Sequence, residues 1–342
     1  MIDLRSDTFT LPSKDMMETI MAAELGDDVW EEDPTVKKLE ALAADKLGKE
    51  AGLLVSSGTQ GNLVAEMTHL NRGDGVVLEV ESHINLYEVG GLAQICGAYP
   101  FLVKGQNGLM DPKDVEAIFT RAYNVHYVEP KLLCLENTHN RGGGKVIPQE
   151  NIDSLAKIAH DNGASVHIDG ARVFNAAVAS GIPASRIVKN TDSVQICLSK
   201  GLGCPIGSVI VGSKEFIHKA RKNRKVVGGG MRQAGIIAAP GIYALNNMID
   251  RLEEDHKHAK IIEKAFLEIP GLKVKDVDSN IIIADLTGTK WTPERVTEAF
   301  KKKGILVSKI PGIQPMVRLV TYFGITREDV EKVAEVIPEI FN

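Results

Sequence analysis

Short apolar runs alternate with helical stretches from about residue 50 to residue 211, and this alternation restricts how the chain can fold more than any other feature. Gly52–Ser56, Gly75–Leu78, Gly97–Val103, Lys131–Glu136, Ser165–Asp169 and Ser193–Leu198 read as strands. Asn62–Leu70 and Gln149–His160 read as helices, the second stopping at Asn162-Gly163. Strands alternating with helices build a mainly parallel sheet covered by helices on both faces. One pair departs from the pattern. Ser193–Leu198 and Ser208–Val211 are joined by only a short Gly/Pro segment, whereas a parallel crossover needs about a dozen residues or more. These two strands are therefore expected to run antiparallel.

The flanks have a different texture. A polar extended segment and Pro12 precede a helical pattern at Lys14–Glu24. Asp33-Pro34-Thr35 is a helix start for Val36–Leu47. Beyond residue 250 comes the charged amphipathic helix Arg251–Ile269, read as a connector. Strands at Leu272–Lys275 and Ile281–Leu286, helix Pro293–Lys303, strands Ile305–Ser308 and Val317–Tyr322, and a helix from Thr326 follow. The expected division is an N-terminal segment, 1–45, a large domain, 46–249, and a small α+β domain, 250–342, which packs with the N-terminal segment.

Composition excludes several classes. The net charge of -5 lacks the basic excess of a general nucleic-acid binder. Cys96, Cys134, Cys197 and Cys204 are widely spaced with no Cys-x-x-Cys pair, so reduced thiols in a cytoplasmic protein are expected. Acids occupy the N-terminus where a signal peptide has its apolar core, and no stretch reaches the length of a membrane span. No His-Glu-x-x-His or Cys/His cluster points to a metal.

Lys200, in Leu198-Ser199-Lys200-Gly201-Leu202-Gly203, lies just beyond an apolar strand. An amine short of water is favoured in its neutral form, which attacks an aldehyde; the plain alternative is an exposed loop lysine. Asp169 ends the strand Ser165–Asp169, where α/β folds bind ligands. An acid there can keep the ring nitrogen of pyridoxal phosphate protonated, or simply cap a helix. Gly58 and Thr59, in Ser57-Gly58-Thr59-Gln60, sit at a strand-to-helix turn whose free amides suit a phosphate. His83 follows the strand-like Val76–Val80 and suits ring stacking or base work, or is a plain polar residue. Arg318, inside apolar Met316–Val320, needs an anion; a substrate carboxylate and a structural salt bridge satisfy that need equally.

Seven stretches, in order, resemble the low-specificity L-threonine aldolase family of fold-type I pyridoxal phosphate enzymes. They are Asp3–Thr8, Gly26–Val29, Ser57–Gln60, Leu135–Asn140, His167–Arg172, Leu198–Gly203 and Gly228–Gln233. The resemblance implies a mainly parallel, seven-stranded sheet with helices on both faces and a smaller α+β C-terminal domain. It implies pyridoxal 5'-phosphate as cofactor and an amino acid as small-molecule substrate, L-threonine or L-allo-threonine, cleaved to glycine and acetaldehyde. By it, Lys200 carries the cofactor as a Schiff base, Asp169 partners the ring nitrogen, His83 stacks over the ring, and Gly58 and Thr59 hold the phosphate. Lys225 and Arg232 are implied as further cofactor contacts from a neighbouring subunit. Ser6, Arg172 and Arg318 bind the substrate carboxylate, with Arg172 also at the cofactor. His126 lies with His83 near the substrate hydroxyl. A homotetramer with shared active sites follows from the same resemblance. Trp30 stands where the family commonly has Tyr, and Glu31 replaces a common Gly.

In that chemistry His83, as a neutral imidazole, suits removal of the β-hydroxyl proton. An aminotransferase or β-eliminating lyase would use the same Lys200 and Asp169. A nicotinamide oxidoreductase is disfavoured, because Gly201, Gly203 and Gly207 miss the G-x-G-x-x-G spacing and strand rather than helix follows.

Overall fold

The computed structural model describes residues 1–312 and 314–341. Its centre is a seven-stranded sheet of β1 (Ala51–Val55), β2 (Gly75–Glu79), β3 (Tyr99–Val103), β4 (Pro130–Glu136), β5 (Ser165–Asp169), β6 (Ser193–Cys197) and β7 (Ser208–Gly212). The spatial order is β1-β7-β6-β5-β4-β2-β3. Only β7 is reversed, antiparallel to both β6 and β1, as the short connector requires.

β2, β6 and β7 are buried at every position. A sheet covered by helices on both faces needs such continuous apolar runs. Val166, Ile168, Val194, Ile196, Val209 and Val211 belong to one cluster with the helices Pro34–Lys46 and Gln149–Asp161. At roughly 1.5–3 kcal/mol for each fully buried Val, Leu or Ile, this layer holds the sheet rigid. Register puts Glu136 opposite Asp169 and Asp169 opposite Gln195. Polar groups thus gather at the carboxyl edge of a rigid floor.

Helix ends follow local chemistry. Asp33 caps Pro34–Lys46, with proline at the first helical position. Helix Gly58–His69 starts earlier than the periodicity predicts, because the Ser57 hydroxyl accepts from the Gln60 amide. Gly58 and Thr59 are therefore its first turn rather than a break before it. Glu31 has φ +57, the left-handed conformation that glycine favours. Trp30 beside it is exposed.

A second sheet carries β8 (Lys273–Val274), β9 (Ile281–Asp285), β10 (Ser308–Ile310) and β11 (Met316–Val320) in the order β10-β11-β9-β8. β10 is a strand the sequence did not reveal. Ile2–Asp3 pairs with Ile305–Leu306, and Ile2 and Leu4 enter the apolar cluster beneath this sheet. Helix Leu252–Leu267 packs on both Val173–Ser180 and Arg327–Phe341. Among the described residues no helix is long and apolar enough to cross a membrane.

Candidate active site

A cavity of about 270 Å³ opens between the carboxyl edge of the large sheet and β10 and β11. Ser6, His83, Arg172, Lys200 and Arg318 line it, with Tyr87, Asn140 and Arg141. Five side chains from distant parts of the sequence reading thus meet in one cleft.

Asp169 ends β5 and is 3% exposed. Oδ1 accepts from the Ala171 amide at 3.1 Å and Oδ2 from Asn62 Nδ2 at 3.0 Å. A carboxylate oxygen has two acceptor sites, so each retains one. Burial raises this carboxyl, but the charges of His83 and Lys200 and the two hydrogen bonds hold it below the usual range. It is an anion at neutral pH, not a helix cap: helix Val173–Ser180 has Arg172 at its N-cap. Lys200 is half-buried and lies close enough to stabilise that anion.

His83 opens the short helix His83–Leu86. Its backbone amide donates to Glu136 Oε2 at 2.7 Å, and its Nδ1 lies 2.8 Å from Glu88 Oε1. Nε2 has no hydrogen-bond partner among the described residues. Burial lowers the imidazole, but the Glu88 hydrogen bond and the charges of Asp169, Glu88 and Glu136 outweigh it and raise its pKa. Three carboxylates thus strengthen the imidazole's hold on a proton, so the neutral form that a base needs is reached at a higher pH than for a free histidine. His83, Glu88 and Asp169 place ligand-type atoms within 4.8 Å of one another. The Asn62 amide already donates to both carboxylates, and an N–H group occupies the position a cation would need.

Arg172 is buried and commits Nε and Nη2 to Asp7, each at 2.7 Å. Its role toward a cofactor or carboxylate is correspondingly narrowed. Arg318, on β11, donates Nη1 to Asn140 Oδ1 at 3.0 Å and Nη2 to the Arg5 carbonyl at 3.2 Å. Its Nε is sealed from solvent without a partner. Among the described residues no carboxylate pairs with it. Burial, then repulsion from Arg172, lowers its pKa. A guanidinium in that position demands an anion, and the salt-bridge alternative for Arg318 has no acid to supply it. Ser6 lines the cleft, its hydroxyl accepting from Thr8.

Gly58 packs on the end of β6: a Cβ there would lie 2.8 Å from Cys197 Sγ. The free amides of Gly58 and Thr59 sit beside the strand that leads to Lys200. The donor set therefore fits pyridoxal phosphate. A helix N-terminus suits the phosphate, a buried anion with open lone pairs suits the ring nitrogen, and an amine suits the aldehyde.

Three candidates lie elsewhere. His126 is on an exposed loop, Lys225 is exposed at the end of helix Lys214–Val226, and exposed Arg232 pairs with Asp27. None lines this chain's own cleft. Conversely, sequence reasoning assigned no role to Asp7, Asn62, Glu88, Glu136 or Asn140. For Asn62 a signal existed: Asn62 and Glu66 are polar residues one turn apart on a helix face that also carries Ala65.

A sequence profile described as beta-eliminating lyase matches residues 3–289. The probable low-specificity L-threonine aldolase 2 of Arabidopsis thaliana is 43% identical, covering 100% of this chain and 97% of that protein. The low specificity L-threonine aldolase of Escherichia coli K12 is 41% identical, covering 98% and 97%. The solved structure of Leishmania major threonine aldolase superposes with a TM-score of 0.86 at 17% identity, covering all of both chains.

Proposed function

This chain belongs to the beta-eliminating lyases, in the low-specificity L-threonine aldolase family, and on that premise we propose that it cleaves β-hydroxy-α-amino acids, L-threonine or L-allo-threonine, to glycine and acetaldehyde. It is a pyridoxal-phosphate-dependent aldehyde-lyase. The observation that carries the substrate class is Arg318, a cation in the cleft that no carboxylate pairs with among the described residues.

Lys200 would hold the cofactor's aldehyde carbon, Asp169 its ring nitrogen, and Gly58 and Thr59 its phosphate, with His83 over the ring. When bound, the cofactor supplies a ring that accepts the electron pair released at Cα. Arg318, helped by Ser6 and Arg172, grips the substrate carboxylate. Holding that group selects which Cα bond aligns for cleavage, here Cα–Cβ. His83 Nε2 takes the β-hydroxyl proton, since Nδ1 is occupied by Glu88. Loss of that proton releases acetaldehyde, and a proton returned to Cα completes glycine. The ionised Asp169 would hold a proton at the ring nitrogen.

His126, Lys225 and Arg232 are assigned to a neighbouring subunit's cleft in a homotetramer. Their exposure supports this, as do the exposed apolar side chains Leu11, Met21, Trp30 and Val226. Light scattering on the purified protein checks the mass. Residues 46–249 are proposed as the cofactor domain, with 1–45 and 250–342 completing the cleft. The four buried free thiols support a cytoplasmic setting in threonine breakdown and glycine supply.

The test is product analysis with each threonine diastereomer. Glycine and acetaldehyde in equal amounts are expected. A 2-oxo product with ammonia would assign β-elimination instead, and an amino-group acceptor requirement would assign transamination.

A further inference from the structure

Behind Asp169 the interior holds an unbroken row of polar groups. His69 Nε2 lies 2.7 Å from Ser193 Oγ, Ser193 Oγ lies 2.8 Å from His167 Nδ1, and His167 Nε2 lies 3.1 Å from Asn62 Oδ1. Asn62 Nδ2 then reaches Asp169 Oδ2 at 3.0 Å and Glu88 Oε1 at 2.7 Å. Ser193 and His167 are 0% exposed and Asn62 is 1% exposed. Water cannot substitute for any missing partner there.

The secondary structure builds this row. His167 and Asp169 share a face of β5 because side chains alternate along a strand. Register sets His167 beside Ser193 on β6. Asn62 and His69 are two turns apart on helix Gly58–His69, so one helix face covers both ends of the row.

Donor and acceptor chemistry leaves one direction for it. Asn62 faces two carboxylates, so its NH₂ must point at them and its carbonyl at His167. His167 Nε2 therefore carries the hydrogen and Nδ1 accepts from the Ser193 hydroxyl. Ser193 Oγ accepts in turn from His69 Nε2. Burial first, then the neighbouring His69, pushes His167 down to about 3, so it is a neutral donor. Burial likewise pushes His69 down to about 4. Every hydrogen in the row points toward Asp169, and no net charge is buried to achieve it. Glu88, which shares the Asn62 amide, also holds His83 Nδ1.

We propose that Asn62, locked in one orientation by His167 and Ser193, is a positioning residue that holds the ring-nitrogen anion Asp169 and, through Glu88, the imidazole of His83 in a single unit. The proposal rests on the lyase reading above. It assigns to the buried motif residue His167 a function in setting the Asn62 amide rather than in packing.

The test uses the purified holoenzyme, with threonine kinetics and two magnetic-resonance readouts. Nitrogen-15 spectra of histidine-labelled protein should show His167 neutral and hydrogenated at Nε2; a hydrogen at Nδ1, or a charged ring, overturns the direction of the row. Cofactor labelled with nitrogen-15 in its ring should report a protonated nitrogen in the wild type and a reduced protonated fraction in Asn62→Leu. That variant should lose roughly 10- to 100-fold in kcat, the worth of a hydrogen bond to a charged group, with KM nearly unchanged and cofactor still bound. Wild-type kcat and a fully protonated ring in Asn62→Leu would overturn the proposal. If Asn62→Leu does not fold, Ser193→Ala takes its place. It removes one hydroxyl without altering shape, should shift the His167 tautomer signal and should lower kcat; no change in either overturns the proposal. Absence of acetaldehyde from the wild type would instead refute the lyase reading, while the His167 spectrum still judges the row.

Discussion

Arg172 Nε and Nη2 each lie 2.7 Å from the Asp7 carboxylate, a buried fork-on-fork ion pair that joins the start of the chain to the N-cap of helix Val173–Ser180. Burial raises the Asp7 carboxyl, yet the Arg172 charge and hydrogen bonds, with Lys200 and Asn280 behind them, hold it down at about 2. Asp7→Ala leaves a buried guanidinium uncompensated and should cost about 3–5 kcal/mol of stability. Because the folded pKa is the lower one, the contribution is present above pH 4 and disappears as pH falls through about 2. The stability gap between wild type and Asp7→Ala should therefore narrow as pH falls from 4 to below 2. A gap that stays constant from pH 4 to below pH 2 would contradict this account.

Arg318 makes the opposite case. Among the described residues its guanidinium donates only to neutral oxygens, from Asn140 and Arg5. Arg318→Leu should lower kcat/KM for threonine by roughly 30-fold or more, from about 2 kcal/mol lost with a charged contact. Stability should hold or rise, since an uncompensated charge is removed. Arg318→Lys keeps the charge without the fork and should recover only part of the activity. Thermal melting and steady-state kinetics on the same preparations separate the two effects. A clear loss of stability in Arg318→Leu would make this residue structural.

His83 carries a pH prediction. Burial works against its charge, but Glu88 and Asp169 outweigh burial and raise its pKa from 6.5. A base acts when deprotonated, so kcat/KM should climb with pH along a limb whose midpoint lies above 6.5. Glu88→Gln should move that midpoint down. His83→Asn should slow cleavage by about 10²- to 10⁴-fold while the visible colour of bound cofactor remains. Loss of the colour would assign His83 to cofactor retention.

Lys200 is tested by covalent capture. Borohydride should fix the cofactor to wild-type protein, and peptide mapping should place the adduct on Lys200. Lys200→Ala should give no adduct while still binding the cofactor phosphate weakly through the amides of Gly58 and Thr59. An adduct on any other lysine in that variant would overturn the assignment.

Much of the candidate site was legible because its signals are local. Lys200 after an apolar strand, Asp169 at a strand end, and Gly58 and Thr59 at a helix start need only a few neighbours to be recognised. The reversal of β7 was legible because a short connector leaves no room for a crossover. Asp7, Asn62 and Glu88 were not, because each acts on a residue far along the chain. No periodicity says that Asn62 will stand over Asp169, 107 positions later.

The amino-acid order by itself determined the alternating architecture and the reversed strand and singled out Lys200 and Asp169 as candidates, since these follow from hydrophobic period, connector length and short motifs. Only the tertiary structure decided the charge states and allegiances: Arg172 given to Asp7, Arg318 left for an anion, His83 surrounded by carboxylates, and His126 kept away from its own chain's cleft. Electrostatic interactions depend on distance through space and on the exclusion of water, and neither exists until the sheet, its helices and the second domain have closed around the cavity.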